Sequence, residues 1–436
     1  MTITQRFIQF YIVLTVLIAP MFLKWDNAPA PFTGWYVLGY VIVTPMIISI
    51  VLWAISGFKE WRRLIQTGWH QLWLVCLIAL NVWAFISQFW AFGLDDYAGM
   101  AQTSSLQLSI VSVFSLVVMT MPDTRRWIIG VLIFSMLVLG MIGQLQVFLQ
   151  SDIGLSWLGE FSLDPQESGK SVLVANGVRW LRPYGLMPHP NNLGGVITLG
   201  LFASASWILA DGQKRLIGTT AFIISFWFLL LTFSRGAWLG FTCGMLFVLP
   251  LVIRREKFFQ KIMPTVIGVI IVGSLFVAFY QPFLLARAGI GQENTEVRSI
   301  ADRVIYNRIA WEAIREHPFQ GIGMGNYPWY AANYLFYNTD YDLTGADVHH
   351  IYLGVWADLG TVGIVFFVGM LLGGIFADFR TRSLEAIALI GGFIAWAVIG
   401  FLDHYMWTLV ITQTLWMTIL ASSMSGDSDN TISNET

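Results

Sequence analysis

The 436 residues are 56% hydrophobic and only 11% charged, with 20 Trp, 32 Phe and a formal net charge of −2. Soluble domains carry about 25% charged residues, so this composition excludes an ordinary globular protein and describes a chain embedded in a bilayer. The near-neutral balance says nothing about nucleic acid and no basic tract suggests it, and Cys76 and Cys243, both in apolar runs, read as packing residues rather than a disulfide framework.

A helix that crosses a bilayer needs about 20 mostly apolar residues. Twelve such runs follow in chain order: 6–23, 34–57, 71–93, 105–121, 127–150, 190–210, 216–233, 236–253, 262–281, 349–377, 384–402 and 404–423. The run 105–121 is short and Ser-rich, and the last two are parted only by Asp403. Ala28-Pro29-Ala30 resembles a signal cleavage site, but the apolar stretch before it exceeds a usual signal core and reads as an uncleaved anchor. The polar tail 424–436 reads as disordered and cytoplasmic. The expectation is an all-α, polytopic membrane protein with a single membrane domain over 1–423.

Lys and Arg in short loops set orientation. Arg6, the group Lys59, Arg62 and Arg63, then Arg125 and Arg126, Lys214 and Arg215, the group Arg254, Arg255, Lys257 and Lys261, and Arg380 with Arg382 hold fourteen of the 24 basic residues. The alternate short loops contribute only Lys24 and Arg235. Both termini are therefore expected in the cytoplasm, and the long loops 151–189 and 282–348 outside.

Four polar clusters fall on that outer side. Arg179-Trp180-Leu181-Arg182-Pro183-Tyr184-Gly185 runs into Met187-Pro188-His189-Pro190-Asn191-Asn192, where the prolines bar a helix before 190 and the two Asn suit its cap. A helix N-terminus beside arginines favours anions, although capping and interfacial anchoring explain any single residue as well. Arg235, in Phe233-Ser234-Arg235-Gly236, breaks the charge asymmetry in a turn too short to leave the membrane region, where a charge is costly unless paired or wet.

Within 282–348, Ile300, Val304, Ile305, Ile309 and Ala313 alternate with Arg298, Asp302, Arg308 and Arg315 at helical spacing, as in an amphipathic interfacial helix. His317 to Tyr327 forms a Gly-rich turn that resembles a phosphate cradle only weakly, since no strand precedes it. Asp347-Val348-His349-His350 then enters a span. Asp340, Asp342 and Asp347 suggest metal binding, but adjacent histidines point to different helix faces, and general-base use ranks higher.

Arg182, Arg235 and Arg308 on one face suit a polyanion, because guanidinium meets phosphate in a bidentate way. With a histidine to take a proton, they suit transfer from a phosphate-linked donor to a hydroxyl. Outside the cytoplasm that donor is a lipid-linked diphosphate.

From Arg179 to Gly363 the chain resembles the O-antigen ligase and polymerase superfamily, GT-C membrane glycosyltransferases acting on undecaprenyl-diphosphate-linked glycans. The ligase pattern of His, then Asn, Ser or Gln, nine residues, Gly, two residues, and Gly, Thr or Tyr is met by His349, His350, Gly360 and Gly363. It departs only at His350, where an amide or hydroxyl is usual. Arg182-Pro183-Tyr184-Gly185, His189-Pro190-Asn191, Ser234-Arg235-Gly236 and Asn307-Arg308-Ile309-Ala310-Trp311 occur in the family's order.

The resemblance implies His349 as the catalytic group that activates an acceptor hydroxyl. It implies Arg235 and Arg308, with Arg182, on the donor diphosphate, and His350, His189, Asn191, Gly360 and Gly363 in support. It also implies inversion at the anomeric carbon, no metal and no cofactor, in a bacterial inner membrane with the 282–348 loop covering a periplasmic site. The leading expectation is a ligase passing a finished glycan to lipid A–core or another surface acceptor. A polymerase of lipid-linked repeat units follows, then a protein O-glycosylating variant; a transporter or flippase is the alternative of another class.

Overall fold

Eleven of the twelve apolar runs overlap one helix each, and the last, 404–423, is divided between two by an extended Leu409. The computed structural model describes residues 2–24, 36–92, 94–175, 177–287, 294–338, 347–377 and 383–425. Ala28-Pro29-Ala30, Asp340, Asp342, Arg380, Arg382 and the tail from 426 lie outside them. The helices are α1 (Ile3–Ile18), α2 (Val43–Ile55), α3 (Gly68–Ser87), α4 (Leu94–Met119), α5 (Arg125–Leu149), α6 (Pro190–Ile208), α7 (Gly212–Leu231), α8 (Arg235–Val252) and α9 (Phe258–Arg287). They continue with α10 (Asn294–Glu316), α11 (Tyr327–Asn338), α12 (Ile351–Ala377), α13 (Leu384–Ile399), α14 (Tyr405–Thr408) and α15 (Val410–Met424).

Seven helices among the described residues are long and apolar enough to cross a membrane: α3, α4 from Met100, α5, α7, α8, α9 and α12. α1, α2, α13 and α15 are apolar but shorter. α6 stands apart, with small and polar residues such as Asn192, Gly194, Gly195, Thr198 and Ser204 all buried. It packs against α5, α7, α8 and α13 and so needs no lipid-facing surface. The protein is thus a multi-pass helical bundle in which seven helices meet the crossing requirement by length and composition.

The basic loops gather at one end of the bundle. Lys261 bonds the Leu209 carbonyl at 2.8 Å and pairs with Asp211 at 2.9 Å, joining the α6–α7 and α8–α9 turns. Arg125, buried at the start of α5, donates to the carbonyls of Ser422 and Ser425 at the end of α15. Gln9 of α1 reaches the Asp123 carbonyl at 3.2 Å. The outer-loop clusters lie at the other end.

There the segment 151–189 holds an antiparallel hairpin that run-length reasoning passed over: β1 (Val172–Ala175) pairs with β2 (Val178–Leu181), Val172 opposite Leu181. Trp180 stands against Tyr280 and Phe283 of α9. α9 bends at Tyr280 (φ −117°, ψ 17°), just before Pro282, which cannot donate to the helix ladder. That bend carries Arg287 back toward the α7–α8 turn, where it donates to the Phe233 carbonyl at 3.2 Å.

α12 is broken at Gly360, whose φ of 65° and ψ of −170° leave the helix. The Gly-rich segment fills the break. Ile322 and Gly323 donate to the carbonyls of Ala357 and Asp358 at 3.0 and 2.8 Å, and Thr361 donates to the Pro318 carbonyl at 2.9 Å. Non-helical backbone at depth is tolerated when protein satisfies it in this way. The Asp358 carboxylate accepts from the amides of Gly325 at 2.9 Å and Tyr327 at 3.1 Å. The cradle that the glycines suggested is therefore occupied by the protein's own carboxylate.

α10 and α11 form a hairpin with a core of its own, in which Tyr306, Ile309, Ala310, Ala313 and Ile314 meet Tyr327, Ala331, Leu353 and Ala357. The buried stripe is rotated from the expected one: Val304 is 62% exposed and Tyr306 takes its place. Packing on α11 and α12, rather than a flat bilayer surface, selects that face.

Gly360 and Gly363 serve this break. A Cβ on Gly360 would lie 2.1 Å from the Phe319 carbonyl oxygen, and one on Gly363 would lie 2.2 Å from Leu359 Cβ. Gly360→Ala should cost about 1–3 kcal/mol from backbone strain alone, read as a lowered Tm in detergent. Gly273→Ala, with nothing within 4 Å of the added atom, should be neutral or gain up to about 1 kcal/mol. Equal Tm values for both variants would contradict this account of the break.

Candidate active site

Asp403 is a buried carboxylate in the turn between α13 and α14. A buried charge persists only with partners, and these come from three elements. Asn191, in the first turn of α6, donates Nδ2 to Oδ2 at 2.9 Å. The His404 amide donates to Oδ1 at 2.9 Å. His349 places Nδ1 3.6 Å from the same Oδ1, just beyond hydrogen-bond reach. That nitrogen is enclosed and has no hydrogen-bond partner among the described residues. The Ile351 amide, bonded to the Gly400 carbonyl at 2.7 Å, fixes the start of α12 against the end of α13 and so brings His349 to Asp403.

Arg182 stands behind Asn191. Its fork donates to Asn191 Oδ1 at 2.9 Å, to Ser171 Oγ at 2.7 Å and, through Nε, to the Thr232 carbonyl at 2.9 Å. Buried Gln146 of α5 holds the adjoining backbone by accepting from the amides of Tyr184 and Gly185 and donating to the Gly185 carbonyl. Through these contacts Arg182 braces Asn191.

His189, not Asn191 or Asn192, is the N-cap of α6; its Nδ1 accepts from the Asn191 amide at 3.1 Å. Part of the ring is accessible, yet the burial around it, and then the charge of Arg182, pushes its pKa down to about 3. A neutral ring keeps the lone pair that capping needs. His350 does the same for α12, accepting from the Leu353 amide at 3.1 Å, and burial lowers its pKa as well. The capping task of an Asn or Ser at this position is thus performed by an imidazole.

A second pair adjoins the first. The rings of His349 and His404 lie 5.0 Å apart at an edge-to-face angle of 78°. His404 Nδ1 contacts Thr408 Oγ1 at 2.9 Å and lies 3.6 Å from Asp347 Oδ2. Burial opposes ionisation of Asp403, but the contact with His349 and the charges of His404 and His189 outweigh it and hold the group below the ordinary carboxylate range.

Arg235 opens α8, whose N-cap Ser234 accepts from the Ala237 amide. Its Nη1 donates to the Arg287 carbonyl at 3.3 Å. Arg287 in turn donates to the Phe233 carbonyl, so both guanidinium groups gather at the N-terminus of α8, which lies against α6 where a Cβ on Gly194 would meet Ser234 Cβ at 3.1 Å. Arg308 is exposed on α10 and has no hydrogen bond or ion pair among the described residues.

His349, Asp403 and His404 each offer one ligand atom within 4.8 Å of the others, which could hold a metal ion. However, both Asp403 oxygens already accept from Asn191 and His404, and Arg182 and Arg287 stand nearby. This donor set fits a hydrogen-bonded proton-transfer cluster better than a cation site.

Sequence reasoning missed Asp403, His404, Asp347 in its pairing role, and Arg287. Asp403 carried a signal, since it is a lone carboxylate between two apolar runs, where charge is expensive. Residues 220–368, about a third of the chain, match a protein-family model described as O-antigen ligase. The matched stretch contains Arg235, Arg287, Arg308, Asp347, His349 and the α12 break, and it ends before Asp403. No curated protein matches the chain.

Because the folded carboxyl titrates below its unfolded value of about 3.9, Asp403 contributes stability fully above that value. The contribution is lost as the pH falls through the folded value. The Tm difference between wild type and Asp403→Asn should therefore be largest near neutrality and shrink below about pH 4. A difference that grows on acidification would mean that Asp403 is neutral in the fold.

Proposed function

We propose, from the match of residues 220–368 to an O-antigen ligase family model, that this multi-pass membrane protein is a metal-independent, inverting glycosyltransferase. It moves a glycan from an undecaprenyl-diphosphate-linked donor to an acceptor hydroxyl at the external face of a bacterial inner membrane. The family implies a glycosyltransferase-like enzyme with lipid-linked glycan and acceptor partners. The observation that carries the finer reading is the His349–Asp403 contact, held from behind by Asn191 and Arg182, with Arg235 and Arg287 at the N-terminus of α8.

The acceptor O–H gives its proton to His349, and its oxygen attacks the anomeric carbon. The bond from that carbon to the diphosphate breaks, and its electron pair leaves on the diphosphate. A single displacement of this kind inverts the configuration. Asp403 stabilises the imidazolium as it forms, by the logic of a carboxylate behind a catalytic histidine. Arg235, Arg287 and the first amides of α8 meet the charge that develops on the leaving group, where preorganised donors are worth most. Arg308 joins that grip on the strength of the family resemblance alone.

The basic end of the bundle supports a cytoplasmic face opposite the site. Ligase and polymerase stand level on geometry, because the glycines that suggested a ligase shape the α12 break rather than touch the cluster. A transporter is disfavoured. Its discontinuous helices line a midplane site, whereas the α12 break is filled by the 318–326 segment.

His349→Ala should lower transfer by on the order of 10²–10⁴-fold at unchanged protein level, measured with purified protein and a lipid-linked glycan, or on gels of cell-surface glycan. Arg235→Lys should lose at least about tenfold although the charge is kept, because an ammonium cannot make the bidentate contact. Wild-type transfer by either variant would remove that residue from the mechanism.

A further inference from the structure

A cavity of about 120 Å³ opens beside the His349–His404 pair, between α4 at Met100 to Gln107, the starts of α11 and α12, and the short helix α14. His404 and Asp347 line it, with Ser104, Gln107 and Thr408 as further polar groups and Trp407 as an apolar wall. His349 is outside that wall, but its ring sits 5.0 Å from that of His404, so the two histidines join the cavity to the Asp403 cluster. We propose that this cavity is the acceptor subsite, binding a neutral saccharide ring whose reacting hydroxyl points to the two imidazoles. The proposal rests on the glycosyltransferase reading above.

Three properties select that ligand. No Lys or Arg lines the cavity among the described residues, while the carboxylates of Asp347 and Asp358 do, so a diphosphate would be repelled and belongs at Arg235. The Asp358 oxygens are already held by the amides of Gly325 and Tyr327, which leaves Asp347 as the single open carboxylate and too few ligands for a cation. The rest of the wall sets the hydroxyl, amide and imidazole groups of Ser104, Gln107, Thr408 and His350 against Trp407 and the apolar side chains of Met100, Met324 and Ile351, which suits a ring bearing hydroxyls on one edge and C–H on its face.

The size agrees. A water's share of liquid volume is about 30 Å³, so the space takes a few waters or the hydroxyl-bearing edge of one sugar, not a lipid tail. His404 spends Nδ1 on Thr408 and Asp347, and its Nε2 has no partner among the described residues. That nitrogen is the group left to meet the acceptor, which makes His404 a binding residue beside the base His349.

The test is saturation-transfer NMR on the full chain in detergent, with free glucose, galactose and N-acetylglucosamine as probes. Wild type should bind at least one of them. Ser104→Leu, which fills the cavity, should weaken that binding at least tenfold. Thr408→Val, which keeps the shape and frees His404, should weaken it similarly, while Arg235→Lys should bind as wild type does. Failure of wild type to bind any of the three, or equal binding by wild type and both cavity variants, overturns the subsite. Turnover is read in the same preparation. Sugar binding that follows the cavity variants, with no transfer from a lipid-diphosphate donor, would confirm a saccharide site and sink the transferase reading instead.

Discussion

A single buried carboxylate organises the outer end of this bundle. Asp403 sits where water cannot solvate it, and removing a partner from a buried charge costs about 3–5 kcal/mol. Its surroundings therefore have to supply donors from elsewhere in the chain. Asn191 comes from α6 and His349 from the approach to α12, the His404 amide follows in the same turn as Asp403, and Arg182 at the end of the β hairpin holds Asn191 in turn. Meeting the needs of one side chain draws the ends of four segments together, and that junction is where the histidines, arginines and helix N-termini meet.

The rest of the fold keeps those ends still. Gln146 holds the backbone next to Arg182, and Arg182 in turn bonds the carbonyl before the α7–α8 turn. The bend of α9 returns Arg287 to that same turn. The break in α12 receives the 318–326 segment and so seats the α10–α11 hairpin above the cavity at His404. Charge is divided across this end, with guanidinium groups on the α8 side and carboxylates on the α4 and α12 side. The proposed transfer, with an anionic leaving group and a neutral nucleophile, would use that division.

Much of the frame was legible because burial in lipid leaves a strong mark, and every apolar run is largely helical, although seven helices among the described residues meet the crossing requirement. Loops were harder to read. The hairpin went unseen although Asn176-Gly177 between two apolar stretches is a hairpin signal. The face of α10 was misjudged because its partner is another helix rather than a bilayer. At the site, His349, Asn191 and Arg235 were legible as polar residues in apolar surroundings. Asp403 carried the same mark, but its role and that of His404 depend on contact with a residue more than fifty positions earlier. Roles shifted for a related reason: His189 and His350 cap helices, and Arg182 braces an amide, tasks that sequence alone cannot tell from ligand binding.

The central claim is that Arg182, Asn191, Asp403 and His349 act as one unit. A double-mutant cycle of Asn191→Ala and Asp403→Asn on the transfer rate tests it most directly. If Asn191 works only by holding Asp403, the double variant should be no slower than Asp403→Asn alone, within about twofold. Two losses that simply multiply would show separate roles, and the chain of contacts behind His349 would then be no more than packing.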